Sequence, residues 1–276
     1  MRTRFILLTA PLVVCGCTPL GDLPSDRSPR VNLQITEDED VGALQAFMEE
    51  LDARGICATL IVDEHVATEG CDQLQRYDQS GHEIMVYGRP VEAPGETVTL
   101  TMLSYDEQEE VIARASSAIE ECLGHGAEGF RSYRFAHNDD TWQILDTLGI
   151  KYNLSFVAYS SNALEGHTED LWPYSVPGHD FWAVPMHSAE YAGNTRAFCD
   201  MPFSSLPPAD WEELMKSELL RMGEAGLPLK IEFHPHFSAN DDGRWNAFLG
   251  FLDYAQEQGA EFITIIQMME ARSAAD

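Results

Sequence analysis

Residues 129–150 read GFRSYRFAHNDDTWQILDTLGI, and the reading of this stretch decides the fold. An extended segment over 129–131 ends in Arg131. A polar turn follows, and then Trp142, Leu145 and Leu148 fall on one stripe of a helix that stops at Gly149. A new apolar run starts at 151. Strand, loop, helix and stop in that order make one unit of a parallel sheet.

The same alternation extends in both directions. Short apolar runs at 31–36, 56–62, 83–87, 129–131, 151–156, 181–185, 229–234 and 261–266 read as strands. Between them lie helical stripes: Val41, Leu44, Phe47 and Leu51 closed by Gly55; Val111, Ala115, Ile119 and Leu123 behind a Ser104/Glu107 capping box; Leu214, Leu219 and Met222 behind Asp210/Glu213; and Phe248, Leu252 and Ala255 before Gly259. Parallel βα units in this number predict an α/β fold, a distorted (β/α) barrel of seven to eight units over residues 31–272. No glycine-rich phosphate loop follows the first strand, which counts against a nucleotide-binding sheet. Barrel chemistry sits at the C-terminal ends of the strands. That rule selects Thr36-Glu37-Asp38, Tyr87, the segment from Arg131 to His137, His187, and His234-Pro235-His236.

Four motifs in order resemble the polysaccharide deacetylase family, also called NodB-homology proteins or carbohydrate esterase family four. They are Ser80-Gly81-His82-Glu83-Ile84, the Phe130-Arg131 segment with its following helix, Phe233-His234-Pro235, and the closing GAEFITI at 259–265. The resemblance runs from about Val31 to Glu270. It implies a divalent metal, usually zinc, held by one carboxylate and two histidines spaced i, i+4. The metal polarises an acetamide carbonyl and holds the attacking water. A carboxylate oriented by an arginine takes the proton, and a histidine protonates the leaving amine.

On this chain the two metal histidines fall on Tyr87 and Val91, neither a usual ligand for such an ion. His82 lies five residues before Tyr87, roughly 17 Å along an extended strand, and reads as a structural histidine. Alternation along the first strand places Thr36 at the base position and Glu37 at the metal carboxylate. A slip of one residue gives Glu37 as base and Asp38 as ligand but reverses the strand's faces. Arg131 and His234 survive, so the candidate catalytic set is His234, Arg131, Glu37 and Asp38, with Arg131 expected to pair with Glu37 or Asp38 or to be a buried structural arginine. Tyr87, Tyr133, His137 and His187 are candidates for the substrate cleft. No metal is expected with these residues unless His137 and His187 rebuild a zinc site with Glu37 or Asp38.

At the N-terminus, Arg2 and Arg4 precede an apolar run from Phe5 to Val14, then small residues and Cys17. This reads as a secretory signal over 1–16, and the run is too short to span a bilayer of roughly 30 Å. Val14-Cys15-Gly16-Cys17 resembles a bacterial lipobox. Cys17 is then a lipid anchor, with a plain signal peptide as the alternative, and residues 17–30 are the linker. The formal charge of −29 over 276 residues repels phosphate backbones and excludes nucleic acid as a partner. Cys57, Cys71, Cys122 and Cys199 allow two disulfides in an oxidising compartment, or free buried thiols.

Two functions follow. One is an exported amide hydrolase removing N-acetyl groups from a cell-envelope polysaccharide or peptidoglycan. The other is a catalytically silent relative that binds glycan or a partner protein through the old cleft, facing periplasm or cell surface and touching the membrane only through its lipid.

Overall fold

The computed structural model describes residues 28–37, 41–91 and 96–273. The signal over 1–16, the lipid-anchor residue Cys17, most of the linker and Asp38 lie outside the described residues. Strand β1 (Arg30–Glu37) leads through α1 (Val41–Arg54) to β2 (Thr59–Val62), and α2 (Glu64–Glu69) and α3 (Cys71–Gln79) lead on to β3 (Glu83–Gly88). Then come α4 (Tyr105–Leu123), β4 (Gly129–Ser132), α5 (Asp139–Leu148) and β5 (Tyr152–Asn153). An irregular stretch carries β6 (Tyr174–Ser175), β7 (Trp182–Ala183) and the hairpin of β8 (Ser188–Tyr191) and β9 (Asn194–Ala197). The chain ends with α6 (Pro208–Glu224), β10 (Pro228–Phe233), α7 (Pro235–Ser238), α8 (Asp242–Glu257), β11 (Glu261–Phe262) and α9 (Ile265–Ser273).

The main sheet runs β10-β1-β2-β3-β4-β5-β7-β6, with β11 added beside β1. Its pairs are parallel except β6 with β7. The segments flanking the β8–β9 hairpin add single parallel bridges, Val157 to Met186 before it and Cys199 to Glu232 after it. The result is a distorted (β/α) barrel.

Alternation gives each strand two environments. Val31, Leu33, Ile35, Leu60, Val62, Ile84, Val86, Phe130, Leu229, Ile231 and Phe233 pack outward into one large core with the helices. Ile61, Met85, Tyr87, Tyr152 and Leu154 form a smaller interior core. The opening residue of the deciding stretch has its own reason: a Cβ on Gly129 would lie 2.2 Å from the Tyr152 ring. Only glycine leaves Tyr152 on β5 room to reach over β4 to Glu83 on β3.

Several boundaries differ from the sequence reading. The linker gives way to β1 at Arg30. The runs at 151–156 and 181–185 shorten to two-residue strands. The run at 261–266 breaks at Thr264, which exchanges hydrogen bonds with Gln267 and starts α9. Helix α6 opens at Pro208 rather than through an Asp210/Glu213 box, because proline fixes φ where an N–H is not needed. The Ser104/Glu107 box does open α4. Cys71 bonds to Cys122, and Cys199 is a free buried thiol, so the four cysteines form one disulfide with one another.

Candidate functional site

The inner face of β1 is polar, and its side chains begin a hydrogen-bonded chain through the barrel. At the floor, the buried Glu83 carboxylate accepts from Tyr152, from Thr59 Oγ1 at 2.9 Å and from the Ile265 N–H at 2.7 Å. Burial nevertheless raises its pKa. Asn32 donates to Thr59 Oγ1 at 3.0 Å, and Gln34 donates to Asn32 at 3.0 Å. Arg131, at the end of β4, reaches Gln34 at 3.4 Å and donates to Glu232 Oε2 at 2.6 Å.

Glu232 is fully buried, and its second oxygen accepts from Thr36 Oγ1 at 2.6 Å. Burial alone would raise its pKa. The Arg131 and His234 charges and the two donated hydrogen bonds outweigh burial and hold it below the ordinary carboxylate value. His234 follows two residues later on the same strand face. Its Nδ1 lies 2.7 Å from Asp200 Oδ1, its backbone N–H donates to Asp200 Oδ2 at 2.9 Å, and its Nε2 is 3.9 Å from Glu232 Oε1. Burial opposes the imidazolium, yet the Asp200 and Glu232 carboxylates prevail and raise its pKa to about 9. Two cations and two carboxylates thus balance one another below the barrel mouth, where His234 is only 12% exposed.

The sequence expectations divide around this quartet. Arg131 and His234 come together, but the carboxylate between them is Glu232, not Glu37. Glu37 stands one position out of phase with Thr36. Its oxygens accept from the His236 N–H at 3.0 Å and meet His236 Nδ1 at 3.2 Å, tying β1 to α7. Tyr87 and Tyr133 meet edge to face at the mouth, ring centroids 6.2 Å apart. His137 and His187 do not join them. His137 Nδ1 accepts from the Trp142 indole at 2.6 Å, and His187 is buried with Nε2 2.7 Å from Glu218 on α6. His82 is structural, accepting from the Ala58 N–H and contacting Asp52. Glu232 and Asp200 escaped the sequence reading. The first could have been found from its place two residues before His234 on one strand; the second sits in an irregular segment with no periodicity to mark it.

The described residues do not fit the family's metal. Val91 is apolar and 82% exposed, Tyr87 packs in the interior core, and Glu37 is engaged by His236. Among the described residues no group of three or more His, Cys, Asp or Glu side chains is placed to hold an ion.

The polysaccharide deacetylase family profile matches residues 28–153, which include Tyr87 and Arg131 but not Asp200, Glu232 or His234. No curated protein sequence matches the chain. A solved structure assigned as a polysaccharide deacetylase of Mycobacterium smegmatis is 19% identical with a TM-score of 0.64, covering 94% of this chain and 96% of that one. A PuuE allantoinase is 15% identical with a TM-score of 0.68, over 91% and 92%. A mutant of a family-four carbohydrate esterase pseudoenzyme with restored activity is 13% identical with a TM-score of 0.54, over 88% and 68%. These likenesses establish the shared fold.

Proposed function

We propose, from the premise that through residues 28–153 the chain belongs to the polysaccharide deacetylase family, that it is an exported protein that binds N-acetylated envelope glycan without hydrolysing it. One observation carries this reading: Arg131, which by the resemblance would orient the base, is committed to the buried Glu232, while the positions the resemblance assigns to the metal histidines hold Tyr87 and Val91. Among the described residues no cluster of His, Cys, Asp or Glu side chains is placed to hold the ion that would activate a water. Tyr133, partly exposed at the mouth and backed by the buried Tyr87, supplies an aromatic face suited to a sugar ring. A fold relative is itself described as a pseudoenzyme of family four, so loss of activity on this scaffold has a parallel.

The test pairs two measurements on purified protein supplied with zinc. Calorimetry against the N-acetylglucosamine tetramer is expected to show binding, and acetate assays on the tetramer and on peptidoglycan are expected to stay at background. Acetate release that disappears in His234→Ala would overturn the reading. A second reading, active hydrolysis, draws on one feature: an imidazolium buttressed by Asp200 is the right acid for a departing amine. The same acetate assay decides between them.

Attachment through a lipid on Cys17 is part of the proposal. Among the described residues no helix is long and apolar enough to cross a membrane. In a bacterial host, Cys17→Ser is expected to move the protein from the membrane fraction to the soluble fraction. Unchanged partition would remove the anchor from the proposal.

A further inference from the structure

The turn from β4 into α5 holds two consecutive non-glycine residues in the left-handed region, Arg134 at φ 54° and Phe135 at φ 58°. Such a residue is strained and persists only where its surroundings hold it. Here Phe135 is held from both sides. Its ring lies 3.7 Å from the Arg131 guanidinium, and its carbonyl accepts from the Asn162 amide at 3.2 Å. Arg134 lies over the ring of Tyr133 at 5.4 Å.

The same two residues wall a cavity of about 440 Å³ together with His137, Trp142, Phe156 and Ser161. That volume falls within the range of sites for small ligands. Its aromatic walls are fixed by contacts among themselves, His137 against Phe156 at 4.6 Å and Trp142 against Phe156 at 5.8 Å. The tautomer of His137 is fixed as well. Nδ1 is the acceptor for the Trp142 indole N–H, which leaves the ring neutral and its proton on Nε2. Burial agrees, lowering the His137 pKa to about 4. The rim adds one cation, Arg134, and one carboxylate, Glu165, so the cavity favours neither sign of charge. A ligand with an apolar ring face and neutral hydroxyls matches these walls, whereas an acidic sugar gains nothing here and meets a strongly acidic chain.

We infer that this cavity is a second glycan subsite, holding one neutral pyranose unit of a chain whose neighbouring units lie across the Tyr133-Arg134-Phe135 turn at the barrel mouth. The inference rests on the glycan-binding reading above and adds to it a place and a length requirement. Ser161 is an exposed lining residue, so Ser161→Trp fills the cavity without entering the core. Thr101→Trp does the same from another exposed lining position and serves if the first variant misfolds.

The experiment is calorimetric titration of the full chain and each folded variant with the N-acetylglucosamine tetramer, alongside melting curves that confirm the fold. A loss of affinity of tenfold or more in either filled variant is expected. Unchanged affinity in a folded variant would overturn the subsite and leave binding at the mouth intact. Absence of binding in the unaltered protein would sink the glycan reading and the subsite with it.

Discussion

Arg131 and Glu232 are two charges out of water, 4% and 0% exposed, 2.6 Å apart. Removing one partner from such a pair leaves the other buried and uncompensated, which typically costs about 3–5 kcal/mol. Arg131→Ala is therefore expected to lower the urea-unfolding free energy by that amount, and a loss under 1 kcal/mol would show that water already reaches Glu232. His234 adds a pH dependence of known sign. Its folded pKa, about 9, exceeds the ordinary 6.5, so its stabilisation is complete below pH 6.5 and is lost as pH rises through 9. The buried Lys230 works in the opposite sense, since burial lowers its pKa to about 7. The two are separated by comparing the protein with His234→Gln at each pH, where the lysine cancels. The stability difference should be largest below pH 6.5 and shrink towards pH 9; a difference that grows with pH would reverse the assignment. Arg131 and His234 were singled out as candidates because each ends an apolar strand and lies in a motif of the resemblance. Their true partners were not. Which carboxylate an arginine finds depends on facing strands, and β10 and the 198–200 segment lie far from β4 in sequence.

Elements with strong periodicity were readable and elements built by tertiary contact were not. Strand β1 announced itself by alternation, and its polar face proved to be the barrel interior. Helix α4 announced itself by its capping box; Ser104→Ala should cost about 1 kcal/mol in unfolding free energy. Helices α2 and α3 were hidden because six and nine residues are too few to show a stripe. The β8–β9 hairpin was hidden too. Its turn uses Ala192 at φ 51° before Gly193 at φ 75°, and alanine gives no signal for a left-handed position that asparagine usually fills. The Cys71–Cys122 bond joins the start of α3 to the end of α4 across a sequence separation of 51. A loop of that length predicts about 4 kcal/mol of stabilisation from restricting the unfolded chain. The double variant Cys71→Ser, Cys122→Ser should lose a substantial part of it under calorimetric melting, and an unchanged midpoint would mean the bond constrains nothing in the unfolded state.

At the scale of the whole molecule, 46 acidic residues against 17 basic ones set the terms for any partner. The barrel keeps its interior charges balanced, so the excess of negative charge is carried on the outside, where salt screens it. The Debye length shrinks from about 30 Å at 0.01 M to about 3 Å at 1 M. A neutral glycan held by aromatic faces and an uncharged histidine does not feel that change. A polyanion does, because its approach is opposed by the surface field at low salt and released at high salt. Affinity for the N-acetylglucosamine tetramer is accordingly expected to vary less than about twofold between 0.05 M and 0.5 M sodium chloride. Affinity for an acidic polysaccharide such as hyaluronan should be undetectable at the lower concentration and rise, if it appears at all, with added salt. If the acidic polymer binds tightly at 0.05 M and salt weakens it, a cationic surface must be in play, and the choice of a neutral sugar as the ligand of this barrel would have to be abandoned.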